Sequence, residues 1–162
     1  MKNVFVHITT ENLNPAQALE FLSDPGQGAQ TLFLGVVRNN NLGKKVVAVQ
    51  YDAHETLSSK VLYGICAEAQ EKWGEDLKIY VSHRTGKLGV GETSVLIGTG
   101  SKHREFAYEA SRYVIEELKV RVPVWKNEHY ENGESGWLRG HALCSHAGSN
   151  TGGRNVHAHG AQ

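Results

Sequence analysis

Apolar residues recur at every third and fourth position in two long stretches of this chain, 55–73 and from near Ser101 to Leu118. In the first, Leu57, Val61, Leu62, Ile65, Cys66 and Ala69 share one helical stripe; in the second, Phe106, Ala107, Ala110, Val114 and Leu118 do. A helix apolar along one stripe is stable only when that stripe is covered. The cover is supplied by β-rich runs around them: MKNVFVHITT, TLFLGVVR (31–38), KVVAVQYDA (45–53), LKIYVSHR (77–84) and TSVLIGTG (93–100). The N-terminal run sets Val4, Val6 and Ile8 against Phe5, His7 and Thr9, the two-residue period of a strand. Asn14-Pro15 reads as an N-cap with proline at the first helical position, opening a short helix through Leu22 that Pro25-Gly26 ends. The loop NNNLGK joins 31–38 to 45–53 as a long hairpin, and ENGESGW after Pro123 signals another. The expected architecture is α+β: antiparallel hairpins with two long helices laid across them.

At 162 residues the chain suits one domain with a proper core, assigned to 1–137. From 138 to 162 it is rich in glycine, carries His141, His146, His157 and His159, and has almost no apolar periodicity, so it is expected to be a mobile tail. Lysine plus arginine equals aspartate plus glutamate at 17 each, so overall charge favours neither nucleic acid nor membrane, and any electrostatic function must come from local clustering. Cys66 and Cys144 make no disulfide framework, the N-terminus lacks the apolar run of a signal peptide, and no window approaches a membrane span. A soluble, cytoplasmic protein is expected.

Cations gather at the ends of elements. LKVRVPVWKNE (118–128) places Lys119, Arg121 and Lys126 around a proline that stops the second long helix. A lysine held beside Trp125 and valines would be partly desolvated, which lowers its pKa and suits it to acid, base or nucleophilic work. GSKHRE (100–105) opens a helix with His103 and Arg104, where the dipole favours an anion. GVVRNNN (35–41) ends a strand with Arg38 and three asparagines, a pattern suited to a polar ligand, although taken alone it reads more readily as a hydrophilic loop. TGKLGVGET (85–93) lacks the P-loop ending and joins two strands, so it reads as a structural turn with Gly86, Gly89 and Gly91 at positive φ. No CxxC or paired-histidine spacing appears in the ordered part, so neither a metal site nor a cysteine nucleophile is expected.

The segments FLGVVRNNNLG, HRTGKLGVGETSV, SKHREFAYEA and LKVRVPVWKNE, with Trp137 following, resemble in order and spacing the large, catalytic subunit of molybdopterin synthase. The resemblance spans about residue 3 to Trp137. It implies an α/β hammerhead-type domain with added antiparallel strands, and an enzyme of molybdenum cofactor synthesis. There, cyclic pyranopterin monophosphate would gain two dithiolene sulfurs, delivered as a thiocarboxylate on the C-terminal Gly-Gly tail of a small ubiquitin-like subunit. The resemblance further implies a self-dimer within a heterotetramer, and no cofactor. It assigns catalytic roles to Lys119 and Lys126, with substrate contacts from Val36, Val37, Arg38, His103, Arg104, Lys119, Lys126, Asn127 and Glu128. Arg139 is the candidate for an arginine supplied to the neighbouring subunit's site. YDAHETLSSKVL departs from the family pattern at Asp52 and His54, on the first long helix. Two other functions compete: a non-catalytic anion-binding or scaffold module, which retention of both lysines disfavours, and an RNA-binding module, which zero net charge and few exposed aromatics disfavour.

Overall fold

The computed structural model describes residues 2–139. In chain order they form β1 (Val4–Thr9), α1 (Pro15–Leu22), β2 (Ala29–Val36), β3 (Asn40–Asn41), β4 (Lys44–Ala53), α2 (Glu55–Trp73), β5 (Lys78–Arg84), β6 (Gly86–Gly89), β7 (Thr93–Ser101), α3 (Arg104–Arg121), β8 (Val124–Tyr130) and β9 (Ser135–Arg139). The strands make two sheets. One runs β1-β5-β7-β2; the other runs β3-β4-β8-β9, with β6 also paired to β4. Only the β1–β5 pairing is parallel among these strands. The domain is α+β, as expected from its periodicities.

Local chemistry explains where each helix starts and stops. Asn14 Oδ1 accepts the Ala16 N–H at 3.0 Å with Pro15 next in line. His54 Nδ1 accepts the Leu57 N–H at 3.3 Å, so α2 is capped by one of the residues that departs from the family pattern. Gly74, at φ 113°, turns the chain out of α2 while its N–H still reaches the Gln70 carbonyl at 2.8 Å. α3 begins at Arg104, slightly later than expected, because Ser101 still belongs to β7 and His103 is the cap residue.

The main core lies between the first sheet and the two long helices. Leu62, Ile65, Cys66 and Ala69 of α2 and Ala110, Val114 and Leu118 of α3 meet Ile79, Val81 and Ile97 of β5 and β7. A smaller cluster, Ala18 with Tyr80 and Leu96, seats α1 on the other face.

Two expectations about the strands need correction. Residues 31–38 and 45–53 do not form one hairpin: β2 pairs with β7, whereas β4 pairs with β8 and β6 in the other sheet. A register irregularity at Gly35/Val36 ends β2, and the hairpin that does form is the short one between β3 and β4. Its two turn residues, Leu42 (φ 49°) and Gly43 (φ 79°), both take the left-handed conformation that a tight hairpin turn requires. The glycine-rich stretch is also more than a turn, since Gly86–Gly89 is a strand; Gly86 and Gly91 have positive φ, but Gly89 does not. The tail histidines and Cys144 lie outside the described residues.

Core packing and turn strain predict opposite signs for two substitutions. Ile97→Ala, in the fully buried centre of β7, should lower unfolding free energy by about 2–5 kcal/mol. Leu42→Gly, at an exposed left-handed position, should be neutral or raise the melting temperature. Urea unfolding of both variants checks the pair.

Candidate active site

Pro123 sets the geometry of the site. α3 ends at Arg121, β8 starts at Val124, and the connection is pinned by the Pro123 carbonyl, which accepts from Ser58 Oγ at 3.2 Å and from the His54 N–H at 3.4 Å. The chain therefore reverses within two residues. Lys119, on the last turn of α3, and Lys126, on the third residue of β8, come to line one cavity of about 330 Å³.

Four parts of the fold build that cavity, α3 among them through Ile115, Leu118 and Lys119. The end of β2 contributes Phe33, Gly35 and Val36, with Arg38 just beyond it. A Cβ added at Gly35 would lie 2.5 Å from Val95 Cγ1, so glycine lets β2 and β7 approach where the strand turns away. The sheet interior contributes His83 and Ser94, and the second sheet contributes Tyr51 and Lys126. The Tyr51 ring meets the His83 ring edge-on at 5.3 Å, joining the two sheets at the cavity wall.

The crowd of cations read from the sequence separates in the structure. Arg121 turns away from the cavity: its guanidinium donates to both carboxylate oxygens of Glu68, at 2.6 and 2.7 Å, and to Glu117 at 3.1 Å. Lys126 forms an ion pair with Glu128, and strand alternation puts both on the face opposite Trp125. Arg38 and Lys119 make no ion pair among the described residues. Cations gathered in one cleft without paired carboxylates attract an anion.

Of the residues expected at the site, Val36, Arg38, Lys119 and Lys126 come together. Val37 is buried in the core, with its N–H and carbonyl bonded to Glu92 and Gly91. Asn127 is buried on the opposite sheet face, its Oδ1 meeting no donor among the described residues. Glu128 is buried beside Lys126 but does not line the cavity. His103 and Arg104 are exposed at the start of α3. Fifteen residues separate Arg104 from Lys119, about 22 Å along the helix axis. Arg139 ends β9, opposite Trp125.

Tyr51, His83 and Ser94 escaped the sequence reading. His83 did leave a signal, since it falls in the same alternating phase as Ile79 and Val81, where a buried strand should be apolar. Its Nδ1 lies 2.9 Å from the Arg84 carbonyl, which makes that nitrogen the protonated one and leaves Nε2 as an acceptor. Burial keeps the ring neutral, lowering its pKa to about 4. Cys66 is also fully buried, and burial pushes its thiol up to about 12, far from a reactive thiolate.

The MoaE protein family model matches residues 8–121. The molybdopterin synthase catalytic subunit of Synechococcus elongatus is 50% identical over 127 residues, 78% of this chain and 77% of that protein. The corresponding subunit of Thermoplasma volcanium is 38% identical over 85% of this chain and 99% of its own length. The crystal structure of molybdopterin synthase from Staphylococcus aureus superposes with a TM-score of 0.77 at 36% identity, covering 85% of this chain and 98% of that one.

Burial of neutral His83 has a pH signature. Unfolded, the ring binds a proton near pH 6.5; folded, it resists until about 4. Its contribution is therefore complete above pH 6.5 and is lost as pH falls towards 4, by an amount of order 3 kcal/mol. Urea unfolding between pH 7 and 4 should show this slope in the wild type and a shallower one in His83→Asn.

Proposed function

The chain belongs to the MoaE protein family, and from that membership we propose that the two-lysine cavity converts cyclic pyranopterin monophosphate to molybdopterin. The chain is an enzyme of molybdenum cofactor biosynthesis, filling the role of a molybdopterin synthase catalytic subunit. The observation that carries the chemical reading is the convergence of Arg38, Lys119 and Lys126 on one cavity with no carboxylate among its lining residues.

Both reactants are anions. The substrate bears a phosphate, and the sulfur arrives as a thiocarboxylate at the C-terminal Gly-Gly tail of a small ubiquitin-like partner. An anion about 4 Å from one such cation gains roughly 4 kcal/mol at an effective dielectric near 20. Arg38, exposed where β2 ends, meets the phosphate or the entering tail, while Lys126 holds the substrate anion within. Phe33, Val36 and Ile115 supply apolar wall beside the reacting groups. The thiocarboxylate sulfur attacks a side-chain carbon of the pterin as a carbon–oxygen bond there breaks, the oxygen leaving on the opened cyclic phosphate in one transfer and as water in the other. Hydrolysis of each resulting thioester leaves sulfur on the pterin and a carboxylate on the carrier. Lys119 moves the proton, or forms the transient covalent bond, that this exchange needs. Because sulfur comes already activated, no cysteine of this chain takes part. Val37 and Asn127 support the strands that present Arg38 and Lys126.

His103 and Arg104 lie too far along α3 to share a substrate with Lys119 of the same copy. We assign them to the cavity of a second copy in a self-dimer, with Arg139 a further contribution across that interface and two small partners completing a heterotetramer. The exposed helix start, with its backbone N–H groups, the Arg104 guanidinium and the His103 ring, then closes on the neighbour's phosphate.

Steady-state turnover with substrate and thiocarboxylated partner tests the assignment. Lys119→Ala and Lys119→Arg should both lose activity by about 100-fold or more, since guanidinium does not exchange its proton near neutral pH. Lys126→Arg should raise KM more than it lowers kcat. Cys66→Ala should retain sulfur transfer, at a modest cost in stability. An active Lys119→Arg enzyme would reduce Lys119 to an electrostatic role.

A further inference from the structure

Glu128 is an unexpected neighbour for an anion-binding lysine. It is 3% exposed in its side chain, and three donors surround its carboxylate. One oxygen takes the Lys126 ammonium; the other accepts Asn41 Nδ2 at 2.7 Å and the Tyr130 hydroxyl at 2.6 Å. Lys126, Glu128 and Tyr130 are alternate residues of β8 and share one face, while Asn41 arrives from β3. The asparagines after Arg38 thus include one whose amide is spent on a carboxylate inside the protein.

We propose that Glu128 is a positioning residue that fixes Lys126 against the cavity and does not itself touch the substrate. A carboxylate facing a phosphate or thiocarboxylate would repel it, and Glu128 is absent from the cavity lining. Its oxygens are already engaged by buried or half-buried donors, so little acceptor capacity remains for a ligand. Burial pushes the Glu128 carboxyl up, but Lys126, Tyr130 and Asn41 outweigh it and hold the group below the usual carboxylate range, so it stays ionised as the anchor. Asn41 and Tyr130 fix the carboxylate, and the carboxylate fixes the lysine. This ties the β3–β4 hairpin, and the arm carrying Arg38, to the geometry of Lys126.

Two measurements test this, and only the second rests on the sulfur-transfer reading. The first is acylation of lysines by an amine-reactive ester in the full chain, followed by peptide mass spectrometry. Glu128→Gln should raise the labelling rate of Lys126 several-fold and leave Lys119 unchanged. Tyr130→Phe and Asn41→Ala, which keep the carboxylate, should raise it less and serve if Glu128→Gln does not fold. Unchanged Lys126 labelling in all folded variants would overturn the inference, as would equal increases at both lysines. The second is a double-mutant cycle on turnover. Glu128→Gln should cost about tenfold in wild type, yet nothing further in a Lys126→Ala background. Multiplied losses in the double variant, with the wild type active, would place Glu128 on the substrate instead. An inactive wild type would refute the sulfur-transfer reading alone, with the labelling result still deciding the role of Glu128.

Discussion

The Pro123 junction is the constraint on which the site depends. Proline has no N–H and blocks the preceding turn, so α3 cannot run on past Arg121. Its carbonyl is then held at the start of α2 by Ser58 and His54, which fixes the angle at which β8 leaves. Seven residues separate Lys119 from Lys126 in sequence. On an uninterrupted helix they would sit about two turns, roughly 10 Å, apart along the axis. The reversal brings a helical lysine and a strand lysine to one wall instead. Because Ser58 is fully buried, the anchor belongs to the core and not to a mobile surface loop.

Electrostatics then sorts the cations by partner. Arg121 is neutralised by Glu68 and Glu117 on the helix side, Lys102 pairs with Asp76, and Lys126 is held by Glu128. Arg38, Lys119 and Arg104 carry no ion pair among the described residues. Exposed pairs such as Lys102–Asp76 contribute little to stability, about 0–1 kcal/mol. Their consequence here is spatial: they neutralise neighbouring charge and leave Lys119, with Arg38 beside it, unpaired at one end of α3 and Arg104 at the other. In the proposed dimer those ends are the places where an anionic substrate and a second copy meet.

Much of this was legible before any coordinates. The stripe at 55–73 matches α2 because its apolar spacing is regular and Gly74 stops it; Asn14-Pro15 marks α1 for equally local reasons. Arg38, Lys119 and Lys126 were readable because Pro123 and the strand end mark where cations fall. The 31–38 and 45–53 runs misled, since adjacency in sequence suggests a hairpin while the turn after Gly35 sends them to different sheets. Sequence also could not show that Trp125 and Lys126 face opposite ways once β8 is placed between β4 and β9, nor that Tyr51, His83 and Ser94 converge. His83 and Ser94 lie on paired strands of the first sheet, but Tyr51 comes from β4 of the other, and only the placement of the two sheets brings the three together.

The central claim is that each reaction centre combines the lysine end of α3 from one copy with the histidine–arginine end from another. Mixing two separately inactive proteins tests it most directly: Lys119→Ala, and the double variant His103→Ala with Arg104→Ala, each supplied with substrate and thiocarboxylated partner. After subunit exchange, a mixed dimer holds one centre with every group intact, so dithiolene product should reappear. If the mixture stays inactive while mixed dimers are shown to form by mass spectrometry, both ends of α3 serve the same copy and the composite site is wrong.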